Sequence, residues 1–278
     1  MIELKNMNFA YSKRKTIFED LSLKIEGGHI YGLLGKNGAG KTTLLKLMTG
    51  MRFPQSGSCT VFEMEAKKRR PEMYEDLYFL SEEIWLPDLR VEGFLKMYAK
   101  SYPRFDEELF ARCLKEFEIN ALDKLKNMSF GQRKKVAISF ALATQCRILV
   151  MDEPTNGLDI PSKGQFRKLV AEVIGDDRCI ILSTHQVRDL ESLIDTVIIL
   201  DESRILLNNS IEQICKKLVF KTLPSLEGQH DVLYSEFTPR GYLAVTPNMD
   251  QVDSKVDMEI LFNMTTQNAN LIKQMFNH

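Results

Sequence analysis

The run Gly35-Lys36-Asn37-Gly38-Ala39-Gly40-Lys41-Thr42-Thr43 spaces glycine, lysine and hydroxyl in a way suited to gripping a polyphosphate. Glycine carries no Cβ, so successive backbone N–H groups are free to curl around phosphate oxygens. Lys41 then reaches the β- and γ-phosphates, and the Thr42 hydroxyl offers an oxygen to Mg²⁺. Such a loop works only where a strand delivers it and a helix leaves it. The apolar run His29-Ile30-Tyr31-Gly32-Leu33-Leu34 supplies the strand, and Leu44-Leu45-Lys46-Leu47-Met48 begins the helix. The context implies a nucleoside triphosphate site.

A second segment, Ile148-Leu149-Val150-Met151-Asp152-Glu153-Pro154, reads as an apolar strand ending in two acids. An acid at that place holds Mg²⁺ in phosphate-loop ATPases, which assigns Asp152 to the metal. In an extended chain Glu153 points the other way and addresses the water opposite the γ-phosphate. General-base catalysis there is worth about 10²- to 10⁴-fold.

About twenty residues before this strand stands Met128-Ser129-Phe130-Gly131-Gln132-Arg133. Alone, it reads as an ordinary helix start with Ser129 as cap. Behind the phosphate loop and ahead of Asp-Glu-Pro, it resembles the Leu-Ser-Gly-Gly-Gln signature of the ATP-binding cassette (ABC) family. The resemblance covers roughly residues 1–208. It implies an α/β fold: a P-loop NTPase core with a mainly parallel sheet, an N-terminal antiparallel β subdomain and an inserted helical subdomain at about 85–135. A small α+β C-terminal accessory region occupies 209–278.

The resemblance also implies roles. Lys41, Glu153 and His185 (the switch histidine, in Ser183-Thr184-His185) are the catalytic candidates. Gly35, Asn37, Gly38, Ala39, Gly40, Lys41, Thr42 and Thr43 surround the phosphates, and Tyr11 stacks on adenine. Thr42, Asp152 and Glu82 are the candidate metal ligands. In this family two cassettes face each other head to tail. Ser129, Gly131 and Gln132, with Asp159 of the D-loop Asn156-Gly157-Leu158-Asp159, thereby complete the nucleotide site across the interface. A helix N-terminus with a free hydroxyl is an anion site, so closure depends on the γ-phosphate and hydrolysis releases it.

Two positions depart from the pattern. Phe130 stands where the signature has glycine; its side chain is expected to point away while its N–H still donates. Ser81-Glu82-Glu83 follows the strand Leu77-Tyr78-Phe79-Leu80 where the family usually carries Pro-Gln-Glu. A carboxylate in place of the glutamine binds a cation more strongly but repels phosphate, Asp152 and Glu153. The expected effect is altered Mg²⁺ dependence or slower turnover; the alternative is that Glu82 swings to solvent.

The elements that must position these groups follow from patterning. Leu21, Leu23 and Ile25 alternate with polar residues, a half-buried strand. Arg147–Met151, Cys179–Ser183 and Thr196–Leu200 are nearly all apolar, as strands covered on both faces of a parallel sheet are. Between them, Val91, Phe94, Leu95 and Tyr98, then Leu109, Phe110, Cys113, Leu114 and Phe117, recur at helical spacing. After about 209, Pro224, Gly228, Pro239 and Pro247 break short β-like pieces, and Leu271, Ile272 and Met275 mark a final helix.

Composition excludes several classes. With 37 Lys and Arg against 38 Asp and Glu, the net charge of −1 offers no footprint for nucleic acid. The basic cluster Lys67–Arg70 sits beside Glu63 and Glu65 and reads as a solvated loop. Cys59, Cys113, Cys146, Cys179 and Cys215 form no CxxC pair, against zinc or a disulfide framework and in favour of a reducing compartment. No apolar stretch is long enough to cross a bilayer.

The expectation is therefore an ATP- and Mg²⁺-dependent ATPase subunit that pairs with a second ABC subunit. It drives transport, export more than import, through a separate transmembrane permease at the inner face of the cell membrane. Trp85, Leu86 and Pro87 are candidates for the groove that receives the permease. The alternative is a soluble ABC ATPase acting as a scaffold or regulator.

Overall fold

The computed structural model describes residues 1–12 and 15–276. The chain opens with β1 (Ile2–Ser12) and β2 (Lys15–Ile25), then β3 (His29–Leu34) and α1 (Lys41–Met48) on either side of the glycine-rich loop. Next come β4 (Ser56–Val61), β5 (Met64–Glu65), α2 (Pro71–Tyr74) and β6 (Leu77–Leu80). A helical stretch follows: α3 (Val91–Tyr98), α4 (Glu107–Glu116) and α5 (Phe130–Ala143). The core resumes with β7 (Ile148–Asp152), α6 (Ile160–Val173), β8 (Cys179–Thr184), β9 (Thr196–Asp201) and β10 (Arg204–Ser210). The C-terminal region holds α7 (Ile211–Lys217), β11 (Leu218–Leu223), β12 (Tyr234–Thr238), β13 (Gly241–Pro247), α8 (Met258–Gln267) and α9 (Ala269–Phe276).

The central sheet runs β10-β9-β3-β8-β7-β6. Every neighbouring pair is parallel except β9 with β10. Its strands are apolar on both faces because both faces are covered. Ile148 and Val150 of β7, and Ile181 of β8, join α1 and the β1–β2 side chains in one core. Leu149, Met151, Ile180 and Leu182 alternate with them and join α5, α6 and the helical stretch in the other. The antiparallel sheet β2-β1-β4-β5 caps the first core, and β11-β13-β12 forms a third, antiparallel sheet.

In the helical stretch the rings of Tyr78, Phe94, Tyr102, Phe105 and Phe110 pack around Phe140 at centroid distances of 4.9–6.3 Å. This aromatic cluster ties the stretch to β6 through α5, whose residues from Val136 to Ala143 are all buried. The expected end of the helical subdomain at 135 thus lies within α5, and the expected boundary at 208/209 lies within β10. The C-terminal region is not set apart from the core: Ile214, Leu218, Met258, Leu261, Met264 and Ile272 are buried in the same cluster as Ile180 and Val197. Among the described residues no helix is long and apolar enough to cross a membrane.

Candidate functional site

The parallel strands β3, β7 and β8 end on one edge of the sheet, which is where the fold brings the chemistry together. The turn out of β3 places Gly38 at φ 81° and Gly40 at φ 104°, a left-handed backbone that favours glycine. A Cβ on Gly38 would meet nothing within 4 Å, so this part of the loop faces open space. Helix α1 starts directly behind it, with no side-chain cap and no acid in its first turn. Its leading N–H groups and the positive end of its dipole are thereby left for an anion.

Below the loop lies a cavity of about 290 Å³ lined by Tyr11, Ile17, Asn37, Gly38, Gly40, Lys41, Thr42, Thr43, Glu82 and Glu153. Lys41 is buried; its Nζ donates to the Gly35 carbonyl at 2.8 Å and lies 3.7 Å from Glu153 Oε1. Burial lowers its pKa, and the Glu153 and Asp152 carboxylates oppose that shift. Thr42 Oγ1 donates to Asp152 Oδ2 at 2.6 Å, joining residues 110 positions apart. The other Asp152 oxygen accepts from Ser183 Oγ at 2.5 Å, and Ser183 Oγ in turn accepts from the Glu153 N–H at 3.0 Å.

Glu153 departs from the expected extended conformation. β7 ends at Asp152, and Glu153 turns to φ 46°. The turn, not the alternation of a strand, separates the two carboxylates and swings Glu153 toward β8 and the cavity. Its Oε1 lies 2.9 Å from His185 Nδ1, at the end of β8. Its Oε2 is buried and has no hydrogen-bond partner among the described residues. An orphaned buried carboxylate oxygen is costly unless something polar meets it, and it belongs to a residue that lines the cavity. The paired oxygens of Thr42 and Asp152 are the hard donors that Mg²⁺ takes alongside substrate phosphates, so this donor set fits that ion.

The remaining expected residues are placed more diversely. Tyr11 lines the cavity, its hydroxyl 2.9 Å from Thr43 Oγ1 and its ring edge-on to Phe9. Gly35 and Ala39 shape the loop without lining the cavity; a Cβ on Gly35 would lie 2.6 Å from the Leu200 carbonyl oxygen. Ser129, Gly131, Gln132 and Asp159 do not line it either. The Ser129 oxygen is not free as expected: it accepts from the Gln132 N–H at 3.2 Å, while Gln132 Oε1 accepts from the Ser129 N–H at 2.9 Å. This capping box holds Gln132 on its own helix end and leaves the Ser129 hydroxyl proton and the Gln132 amide N–H groups to offer. Asp159 likewise caps α6, accepting from the Ser162 N–H at 2.9 Å, and hydrogen bonding from the Ser162 side chain and then its N–H lowers the pKa of the carboxyl.

Phe130 is half exposed and lies over Gly157, where an added Cβ would come within 2.6 Å of the ring. Glu82 does not swing freely to solvent: its Oε1 accepts from Asn156 Nδ2 at 3.1 Å. Trp85 is 79 % exposed.

Sequence reasoning missed two participants. Ser183 bridges Asp152 and Glu153; its position before Thr184-His185 was the available signal. Lys134 is completely buried on α5, with Nζ donating to the Glu82 carbonyl at 3.3 Å. Burial pulls its pKa down to about 8, against the pull of Glu82, Asp152 and Glu153. In the sequence it is the middle of three successive basic residues, Arg133, Lys134 and Lys135, and nothing local sets it apart.

A phosphate loop, a strand-end carboxylate pair and a histidine on the adjoining strand, on a mainly parallel sheet, define a nucleoside triphosphatase of the phosphate-loop class. A family model described as "ABC transporter" matches residues 18–156. The ABC transporter ATP-binding protein NatA of Bacillus subtilis (strain 168) is 30% identical over 224 residues, 77% of this chain and 91% of that protein. The linearmycin resistance ATP-binding protein LnrL of the same organism is 28% identical over 232 residues, 81% of this chain and 74% of that protein. Among solved structures, a dimeric bacterial ABC transporter cassette superposes with a TM-score of 0.65 at 22% identity, over 76% of this chain and 98% of that one. The chain belongs to the ABC transporter family, as an ATP-binding, ATP-hydrolysing subunit.

Proposed function

We propose that this chain powers a membrane exporter: two cassettes close around Mg-ATP, and the closure is transmitted to a separate permease at the inner face of the cell membrane. The observation that carries the reading is Glu153, a residue lining the cavity and held between Lys41 and His185, with one buried carboxylate oxygen left without a partner among the described residues. The C-terminal region and the likeness to a linearmycin resistance ATP-binding protein support export over import.

Each step falls to a named group. The loop amides from Gly38 to Lys41 and the Lys41 ammonium hold the phosphates. Tyr11 receives the adenine. Glu153 Oε2 accepts a proton from the attacking water, and His185 fixes the carboxylate through Oε1. Held by Thr42 and Asp152, Mg²⁺ would neutralise charge on the β- and γ-phosphate oxygens. Ser129, Gly131 and Asp159, which do not line the cavity of their own chain, are offered to the nucleotide of the second subunit. The Gln132 carbonyl oxygen is taken by the capping box, which leaves its amide N–H groups and the backbone N–H groups of the helix start as donors for that contact.

The test is capture of tagged Glu153→Gln protein with Mg-ATP from detergent-solubilised host membranes. Removing the base traps the ATP-bound state, so a polytopic membrane protein should co-purify in stoichiometric amount. Recovery of soluble partners alone would overturn the transport reading.

A further inference from the structure

A lysine is almost never fully buried unless something pairs with it. Lys134 is 0% exposed, and its ammonium hydrogen-bonds the Glu82 carbonyl at 3.3 Å. Glu82 is itself held at its other end, where its carboxylate accepts from Asn156 in the turn after β7. That carboxylate lines the phosphate cavity together with Glu153, and Asp152 lies behind Thr42. A third acid in a site for a polyanion works against binding unless a cation offsets it. A neutral glutamine, and a glutamate with a lysine beside it, bring the same net charge.

We propose that Lys134 is a positioning residue of the nucleotide site: it anchors the Glu82 loop and supplies the positive charge that lets a glutamate stand there without repelling phosphate. The inference rests on the ATP-binding reading above. The same contact makes α5, whose first turn carries Ser129, a rigid link to the loop after β6.

The experiment compares full-length wild type, Lys134→Met, Glu82→Gln and the double variant by steady-state hydrolysis of Mg-ATP and by thermal unfolding. Lys134→Met should raise KM for Mg-ATP about tenfold, the usual scale for losing a partner behind a ligating group, with Tm no lower than wild type. Adding Glu82→Gln to it should return KM to within about twofold of wild type, because the surplus negative charge is gone. Glu82→Gln alone should lower KM, since the Lys134 charge is then no longer offset by a carboxylate at residue 82. A purely structural lysine would lower Tm and would not be rescued. A double variant that keeps the raised KM of Lys134→Met, or an unchanged KM in Glu82→Gln, overturns the proposal, the second even if Lys134→Met fails to fold. A wild-type chain that binds no Mg-ATP would instead overturn the ATP-site assignment beneath it.

Discussion

Glu153 Oε1 and His185 Nδ1 lie 2.9 Å apart, joining the ends of two adjacent parallel strands. The contact orients the carboxylate, and the opposite oxygen, Oε2, is left without a partner among the described residues. A carboxylate fixed at one oxygen and open at the other is arranged as a general base. Glu153→Gln should therefore cut phosphate release by about 10²- to 10⁴-fold while ATP binding persists. His185→Ala should act mainly on kcat, since the histidine touches the base and does not line the cavity. Single-turnover hydrolysis with parallel nucleotide binding checks both; near-wild-type turnover in Glu153→Gln would place the base elsewhere.

The Thr42–Asp152 hydrogen bond at 2.6 Å brings together a hydroxyl from the phosphate loop and a carboxylate from β7. If these are the metal's donors, Asp152→Asn removes the only negative charge of the pair. The Mg²⁺ concentration for half-maximal hydrolysis should then rise by at least about tenfold, the smaller of the losses typical of impaired metal sites. EDTA should abolish hydrolysis in wild type reversibly. An unchanged Mg²⁺ titration would remove Asp152 from the metal site.

How much of this was readable in the sequence depends on the range of the interaction. The loop Gly35–Thr43 and the strand ending at Asp152 are local patterns, and the structure sets them 2.6 Å apart through Thr42. The all-apolar strands were equally legible, because burial on both faces removes alternation. What escaped depends on partners distant in the chain or on backbone detail. The turn at Glu153 has no residue signature, since a glutamate at φ 46° is not what local preference selects. The Ser129–Gln132 capping box was written in the sequence, but its competition with a free hydroxyl was not weighed. Lys134 was opaque because its hydrogen-bond partner, the Glu82 carbonyl, lies 52 residues away in the chain.

The C-terminal region packs on the turn that follows His185. Val187 and Leu190 share a cluster with Met258, Leu261 and Met264, and Arg188 pairs with Glu259 at 2.5 Å. The ion pair is exposed and contributes little; the apolar contact holds the two together. Leu261 is completely buried, so Leu261→Ala should destabilise the whole chain by about 2–5 kcal/mol. Urea unfolding followed by fluorescence should show one transition at lower denaturant. A second, separate transition would mean that 209–278 unfolds on its own.

Lys134 sets the stability of the chain against pH. Its pKa falls from 10.5 to about 8 on folding because burial penalises the charged form. Between those values the unfolded chain holds a proton that the folded chain has released, so this group makes stability rise with pH from about 8 toward 10.5. Below pH 8 both states are protonated and the full penalty is present, roughly 3 kcal/mol at 1.36 kcal/mol per pH unit of displacement. Lys134→Met removes the charge but keeps most of the volume, and Glu82 is exposed enough not to be stranded by its loss. The variant should be more stable than wild type at pH 7, with the advantage shrinking as pH approaches 10.5. Urea unfolding at several pH values measures the difference directly. A variant less stable than wild type at pH 7 would show that attraction to Glu82, Asp152 and Glu153 outweighs the cost of burial. A more stable variant that hydrolyses ATP poorly would show a buried charge kept for the site at the expense of the fold.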